Sequence, residues 1–172
     1  RVGAYYHDIG KLKNPEYYVE NQLYMSNKHE NLSPSMSSLI LASHVKDGLA
    51  LADEIKLART VRDLIPEHHG TRLMKFFYQK AKDAAAGKER EVNEDDFRYP
   101  GPKPQSKAAA ILMLADQVEA AARTLQDPSP SQIRSMNRRL IQSTIQDRQF
   151  DECEITMQDL DKILRAFERV IT

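Results

Sequence analysis

Six residues of this 172-residue chain have the types and order of a site for a pair of metal ions. They are His7 and Asp8 in AYYHDIGK, His44 in LASHVKDG, His68 and His69 in IPEHHGT, and Asp116 in ILMLADQVEAA. Imidazole nitrogens suit borderline divalent ions, and a carboxylate has two oxygens with which to bridge two of them. The chemistry implied is metal-assisted hydrolysis of a phosphoester.

Each residue also has a plainer reading. Adjacent residues on a helix point about 100 degrees apart, so His7 and Asp8 both serve as ligands only if metal sits in the crease beside their helix. Otherwise His7 is a core-edge histidine. Gly10 permits close backbone approach, and Lys11 can face an anionic ligand. His44 lies on an apolar helix face, where a satisfied core histidine is the alternative. Lys46 and Asp47 after it read as a solvated turn. His68 and His69 would repel if both were charged, and binding metal as neutral imidazoles removes that cost. Asp116 follows five apolar residues and is expected to be buried, where a carboxylate needs a partner. Glu119 and Arg123 follow at one-turn spacing, as site residues or as a surface ion pair. His29, in NKHENLSP, is expected to be solvated. Tyr17, Tyr18, Phe76, Phe77 and Tyr78 read as core rather than as a base-stacking set.

The elements that must position these residues are almost all helical. Val2, Tyr5, Tyr6 and Ile9 form a stripe ending at Gly10, and a short helix follows Asn14-Pro15-Glu16. Residues 21–32 read as a polar loop. Ser33-Pro34 opens a helix that runs to Gly48, with further helices over 49–56, 58–69 and 73–86. Residues 87–105, charged and then proline-rich, form an irregular loop. Helices follow over 106–125, 131–146 and 156–170. Asp127-Pro128-Ser129-Pro130 breaks the chain between the first two, and Thr156 with Asp159 resembles a capping box. No strand pattern or internal repeat stands out. The whole is expected to be one all-α domain over 1–172. With 25 basic and 25 acidic residues the net charge is zero, so nothing draws the chain to a nucleic-acid polymer. Cys153 is the single cysteine, which excludes an internal disulfide. No run is long enough to span a bilayer, but the abrupt ends read as those of a piece of a longer protein.

The order His7-Asp8, His44, His68-His69, Asp116 resembles the HD-domain metal-dependent phosphohydrolase superfamily. AYYHDIGKL, ENQ, LSPSMSSLILASHVKDG, HHGT, DDFRYPGPKPQSKAAAILMLADQVEAAAR and DLDKILRAFERVIT resemble its bacterial seven-transmembrane branch over essentially the whole chain. The resemblance implies an HD-domain helical bundle around a binuclear metal site, at the cytoplasmic face of the plasma membrane. It implies a phosphodiesterase that hydrolyses cyclic di-AMP to pApA with two divalent ions, Fe or Mn.

By the same resemblance His7 and Asp116 hold the first metal and His44 and His68 the second, while Asp8 bridges both. His69 sits at the second metal or reaches a substrate phosphate. A further family histidine lies upstream of the HD pair, before this chain begins. Gly70-Thr71-Arg72 departs from the Gly-Tyr-Pro continuation of the cyclic di-GMP branch. A hydroxide bridging the metals is the expected nucleophile. Lys46 is the first candidate for a catalytic phosphate contact, ahead of Arg123 and Lys11, and the loop from Tyr99 to Pro104 is a candidate wall for the base. The alternatives are an HD phosphohydrolase acting on another nucleotide, and a metal-poor module that binds a cyclic nucleotide or a partner helix and only signals.

Overall fold

The computed structural model describes residues 1–22, 27–86 and 91–171. Among them every regular element is helical, as the sequence predicts. The α-helices are α1 (Val2–Tyr6), α2 (Pro34–Glu54), α3 (Arg59–Arg62), α4 (Leu64–Glu67), α5 (Lys75–Ala85), α6 (Lys107–Ala122), α7 (Pro130–Gln146) and α8 (Met157–Ile171). Short 3-10 turns cover Ile9–Lys13, Pro15–Tyr17, Val19–Asn21, Lys28–Asn31 and Glu94–Phe97. No described helix is long and apolar enough to cross a membrane. The residues fall into two compact units: Arg1–Pro66 with Thr71–Pro100, and Glu67–Gly70 with Gly101–Thr172.

In the first unit, α2 is the helix against which the Ile9–Lys13 turn, α5 and the Glu94–Phe97 turn pack. Ser33 caps it by accepting the Met36 amide at 3.2 Å, with Pro34 in the first turn, a device that stabilises a helix by about 1 kcal/mol. The sequence predicts a stop at Gly48, yet α2 runs straight through it. A mid-helix glycine costs about 1 kcal/mol. Here tertiary packing overrides that cost, because a Cβ on Gly48 would lie 2.9 Å from Ile65 Cγ2 and 3.4 Å from the Gly10 amide nitrogen. Residues 58–69 are two short helices rather than one. Pro66 has no N–H to give the Arg62 carbonyl, so a continuous helix would lack that bond.

The first helix is also shorter than predicted. It ends at Tyr6 and leaves Tyr5 exposed, so the stripe of Val2 and Tyr5 is not a buried face. Phe97 lies in the predicted irregular loop but is buried against Met74 and Phe77. Two backbone bonds hold that segment, Met74 N–H to Phe97 O at 2.8 Å and Tyr99 N–H to Arg72 O at 3.0 Å. Residues 23–26 and 87–90, in the two predicted loops, lie outside the described residues. His29 is buried rather than solvated. Its ring sits between Tyr17 and Phe77, and its Nε2 lies 2.9 Å from the Tyr17 carbonyl. Aromatic neighbours at edge-on and tilted angles and the hydrogen bond at Nε2 offset the burial of this imidazole, although its Nδ1 is buried with no hydrogen-bond partner.

In the second unit α6, α7 and α8 enclose Leu114, Ile141, Leu160 and Ile163, flanked by Phe150, Ile155, Leu164 and Phe167. Ser106 caps α6. The α7 start lies slightly earlier than predicted, at Pro130, where Ser129 and Gln132 form a capping box. At α8, Thr156 Oγ1 accepts the Asp159 amide and Asp159 Oδ2 accepts the Thr156 amide, both at 3.1 Å. Lys107 donates to the same Oδ2 at 2.8 Å.

The Lys107 bond, then the Thr156 bonds, hold the Asp159 carboxyl well below its ordinary range. Its folded pKa is therefore lower than its unfolded one. The stabilisation is complete above the ordinary value of 3.8 and is lost as pH falls toward the folded value. Thermal melts of wild type and Asp159→Asn should differ at pH 7 and converge below pH 3.8. A gap that stays constant down to pH 2 would contradict this origin.

Candidate metal centre

His7, Asp8 and His44 meet in the first unit. His7 caps the end of α1, and its Nδ1 lies 3.0 Å from the Ala4 carbonyl. His44 Nδ1 lies 2.5 Å from the Leu41 carbonyl, also three residues back on its own helix. A carbonyl only accepts, so both Nδ1 atoms carry hydrogen. That directs the two Nε2 atoms at Asp8, with His7 Nε2 3.3 Å from Oδ2 and His44 Nε2 3.4 Å from Oδ1. One carboxylate thus turns one oxygen to each imidazole.

With neutral rings, each contact sets a nitrogen lone pair against a carboxylate oxygen. A cation between the two removes that repulsion. A metal ion relieves the repulsion with both rings neutral. Two ligand atoms on one such ion, each about 2.1 Å from it, are roughly 3 to 3.4 Å apart. The backbone carbonyls fix the tautomer that leaves Nε2 as the donor, which is how ligating histidines are commonly oriented. The donor set fits divalent metal.

Asp8 also accepts from Lys11, whose Nζ lies 2.7 Å from Oδ2 and 2.6 Å from Glu20 Oε1. The same ammonium stands 5.2 Å from the centroid of the Tyr18 ring. Lys11, expected to face an anionic ligand, is instead held between two carboxylates. Burial by itself lowers its pKa, but Asp8 and Glu20 outweigh that and hold it above the ordinary value. Burial pushes the Tyr18 hydroxyl up to about 12. Asp8 comes so close to α2 because Gly10 lacks a side chain. A Cβ there would lie 1.9 Å from the His44 carbonyl oxygen.

The second unit carries the other three residues. His68 and His69 are buried, with ring centroids 3.8 Å apart and planes at 43°. His69 Nδ1 lies 3.7 Å from Asp116 Oδ2 on α6. Asp116 is partly exposed rather than buried, since only Leu112, Met113 and Leu114 of the apolar run before it face the core, while Ile111 is exposed and the Asp116 side chain itself stands at 18 %. Gly70 ends the His-His turn with φ +55, and a Cβ there would lie 2.4 Å from Gln149 Oε1. Glu67, just before the pair, is buried and accepts the Gln105 amide at 2.9 Å.

The remaining predicted residues are placed as follows. Tyr99 meets the ring of His44 edge-on, with centroids 6.3 Å apart. Lys46 is exposed, and two residues along α2 from His44 it leaves the helix about 200 degrees round. Arg123 forms an exposed ion pair with Glu119.

The family model for the HD domain matches residues 1–121, a span that contains all six histidines and aspartates of the set. The chain belongs to the HD-domain family. Among HD-domain relatives, it is 48 % identical over 166 residues to the cyclic-di-AMP phosphodiesterase PgpH of Bacillus subtilis, covering 96 % of this chain and 23 % of that protein. It is 44 % identical over 165 residues to the Listeria monocytogenes PgpH, covering 96 % and 22 %. The chain thus spans less than a quarter of either relative. The crystal structure of the L. monocytogenes PgpH HD domain in complex with cyclic di-AMP superposes with a TM-score of 0.94 at 42 % identity, covering 99 % of this chain and 78 % of that one. A second crystal structure of the L. monocytogenes PgpH HD domain gives 0.92 over the same shares.

Sequence reasoning assigned no role to Glu20 or Glu67. Glu20 stands in the ENQ motif on which part of the resemblance rests, but its pairing with Lys11 arises across nine residues and two 3-10 turns. Glu67 precedes the His-His pair, and an acidic residue there reads as solvated.

Proposed function

We propose that His7, Asp8, His44, His68, His69 and Asp116 hold two divalent metal ions, iron or manganese, and that the HD domain hydrolyses cyclic di-AMP to pApA. The carrying observation is Asp8, whose two oxygens each face the Nε2 of a different tautomer-fixed histidine. A carboxylate so placed is suited to bridging. When bound, the ions supply the Lewis acidity that phosphodiester hydrolysis needs at neutral pH. Water adds to one phosphorus, the bond to the 3′-oxygen breaks, and that oxygen takes a proton.

The chain's own residues orient this chemistry. The Ala4 and Leu41 carbonyls keep His7 and His44 aimed through Nε2, and Lys11 holds Asp8 Oδ2. The Tyr99 ring beside His44 offers a face or edge for an adenine. His69 is the histidine assigned to the second ion or to a substrate phosphate. Lys46 and Arg123, the other phosphate candidates, stand on exposed surface, so they serve only a substrate group that extends beyond the histidines. The choice of cyclic di-AMP draws on the relatives whose names carry that substrate, and a setting at the cytoplasmic face of the membrane draws only on the motif resemblance to the seven-transmembrane branch.

The protein loaded with Mn2+ or Fe2+ should convert cyclic di-AMP to pApA and leave cyclic di-GMP, as followed by chromatography. No turnover of either dinucleotide with metal bound would move the reading to another nucleotide. Failure to bind metal would favour a signalling module.

A further inference from the structure

The Lys11–Glu20 pair is not part of the predicted ligand set, and it touches the residue on which that set depends. Asp8 Oδ2 has two demands on it, His7 Nε2 at 3.3 Å and Lys11 Nζ at 2.7 Å, while Oδ1 faces His44 Nε2 at 3.4 Å. Lys11 is pinned in turn. Glu20 Oε1 takes its ammonium at 2.6 Å, and the Tyr18 ring lies 5.2 Å beneath it. Tyr18 is itself buried, with its hydroxyl 3.4 Å from the Ile40 carbonyl of α2. A chain of contacts therefore runs from α2 through Tyr18 to Lys11 and on to one oxygen of Asp8.

We propose that Lys11, anchored by Glu20 and Tyr18, is a positioning residue that fixes the rotation of the Asp8 carboxylate so that its two oxygens serve two different ions. This rests on the reading of Asp8 as a bridging ligand. A carboxylate free to turn about its Cβ–Cγ bond can chelate one ion with both oxygens. An ammonium bound to Oδ2 makes that rotation cost a charge-assisted hydrogen bond. Glu20 does the second part of the work. A lone ammonium this near would repel the ions, and a carboxylate on its far side restores local neutrality. The pair thus supplies direction without net charge, and groups that orient ligands in this way are commonly worth 10- to 100-fold in metal affinity or activity.

The test separates direction from charge. The double variant Lys11→Met with Glu20→Gln removes one positive and one negative group, so the local balance is unchanged. Mn2+ titration of the metal-free protein by calorimetry should show the second equivalent bound about 10- to 100-fold more weakly than in wild type. The kcat for cyclic di-AMP should fall by a similar factor, with KM moving less than about twofold. Lys11→Arg keeps a cationic donor and should recover part of the Mn2+ affinity. If wild type binds two Mn2+ and the double variant binds them equally tightly with unchanged kcat, the positioning role is wrong and the metal reading stands. A fall in melting temperature alone, with both Mn2+ sites intact, would make the pair merely structural. If wild type binds no Mn2+, the metal reading itself fails and takes this role with it. Should the double variant not fold, Glu20→Gln alone is titrated, with a weaker second site expected and an unchanged one counting against the role.

Discussion

Asp8→Asn should lose at least one bound metal ion and lower kcat/KM for cyclic di-AMP by on the order of 1000-fold, equivalent to about 4 kcal/mol of transition-state stabilisation. Asparagine matches the shape of aspartate but keeps only one acceptor oxygen and no charge. In wild type both oxygens are committed, Oδ1 toward His44 and Oδ2 toward His7. The amide would turn an NH2 group toward one of those Nε2 atoms and fill it as a hydrogen bond, where a cation is needed. Folding should hardly change. Lys11 keeps its ion pair with Glu20 when Asp8 loses its charge, so no buried ammonium is left without a counter-ion. Metal content by mass spectrometry, circular dichroism and the hydrolysis assay check the three parts together. A variant that holds two ions and works within tenfold of wild type would remove Asp8 from the bridging role.

Gly10→Ala should damage both stability and activity, although residue 10 touches neither metal nor substrate. The added methyl would sit 1.9 Å from the His44 carbonyl oxygen and 2.5 Å from the Gly48 nitrogen. Both are backbone atoms of α2 and cannot rotate away. The Ile9–Lys13 turn must therefore retreat from α2 by roughly 1.5 Å to reach ordinary contact distance. Overpacking of this kind costs about 1–3 kcal/mol, or roughly 2–12 °C in melting temperature for a chain of this size. Activity should suffer more than stability. The retreat carries Asp8, two residues earlier, away from His44, and about 1 Å of misplacement can cost 100-fold. Gly48→Ala is the control. Its methyl meets chiefly the Ile65 side chain at 2.9 Å, which can shift, so its effect on both readouts should be smaller. If the two variants are equally mild, close backbone approach is not what aims Asp8.

Much of the fold was legible because its signals are local. Ser33-Pro34, Ser106 and the Thr156–Asp159 pair mark helix starts through bonds that span three residues, so the sequence alone shows them. The same locality misled at Gly48 and His29. A glycine reads as a stop and a histidine among polar neighbours reads as solvated, until Ile65 and Gly10 explain the first and Tyr17 and Phe77 the second. The exposure of Asp116 was not legible, because an apolar run does not say which way the next side chain turns.

For the site the division is similar. The sequence by itself determined the kinds of proposed donor and their order along the chain, His7, Asp8, His44, His68, His69 and Asp116, since residue type sets which ions a group can bind. Tertiary structure decided which atoms of those residues are offered. The Ala4 and Leu41 carbonyls choose Nε2 over Nδ1, the gap at Gly10 brings Asp8 against α2, and Glu20 arrives from nine residues beyond Lys11 to hold it on Oδ2. Ligand geometry is fixed to within an ångström by backbone packing, and distance in sequence carries no such information.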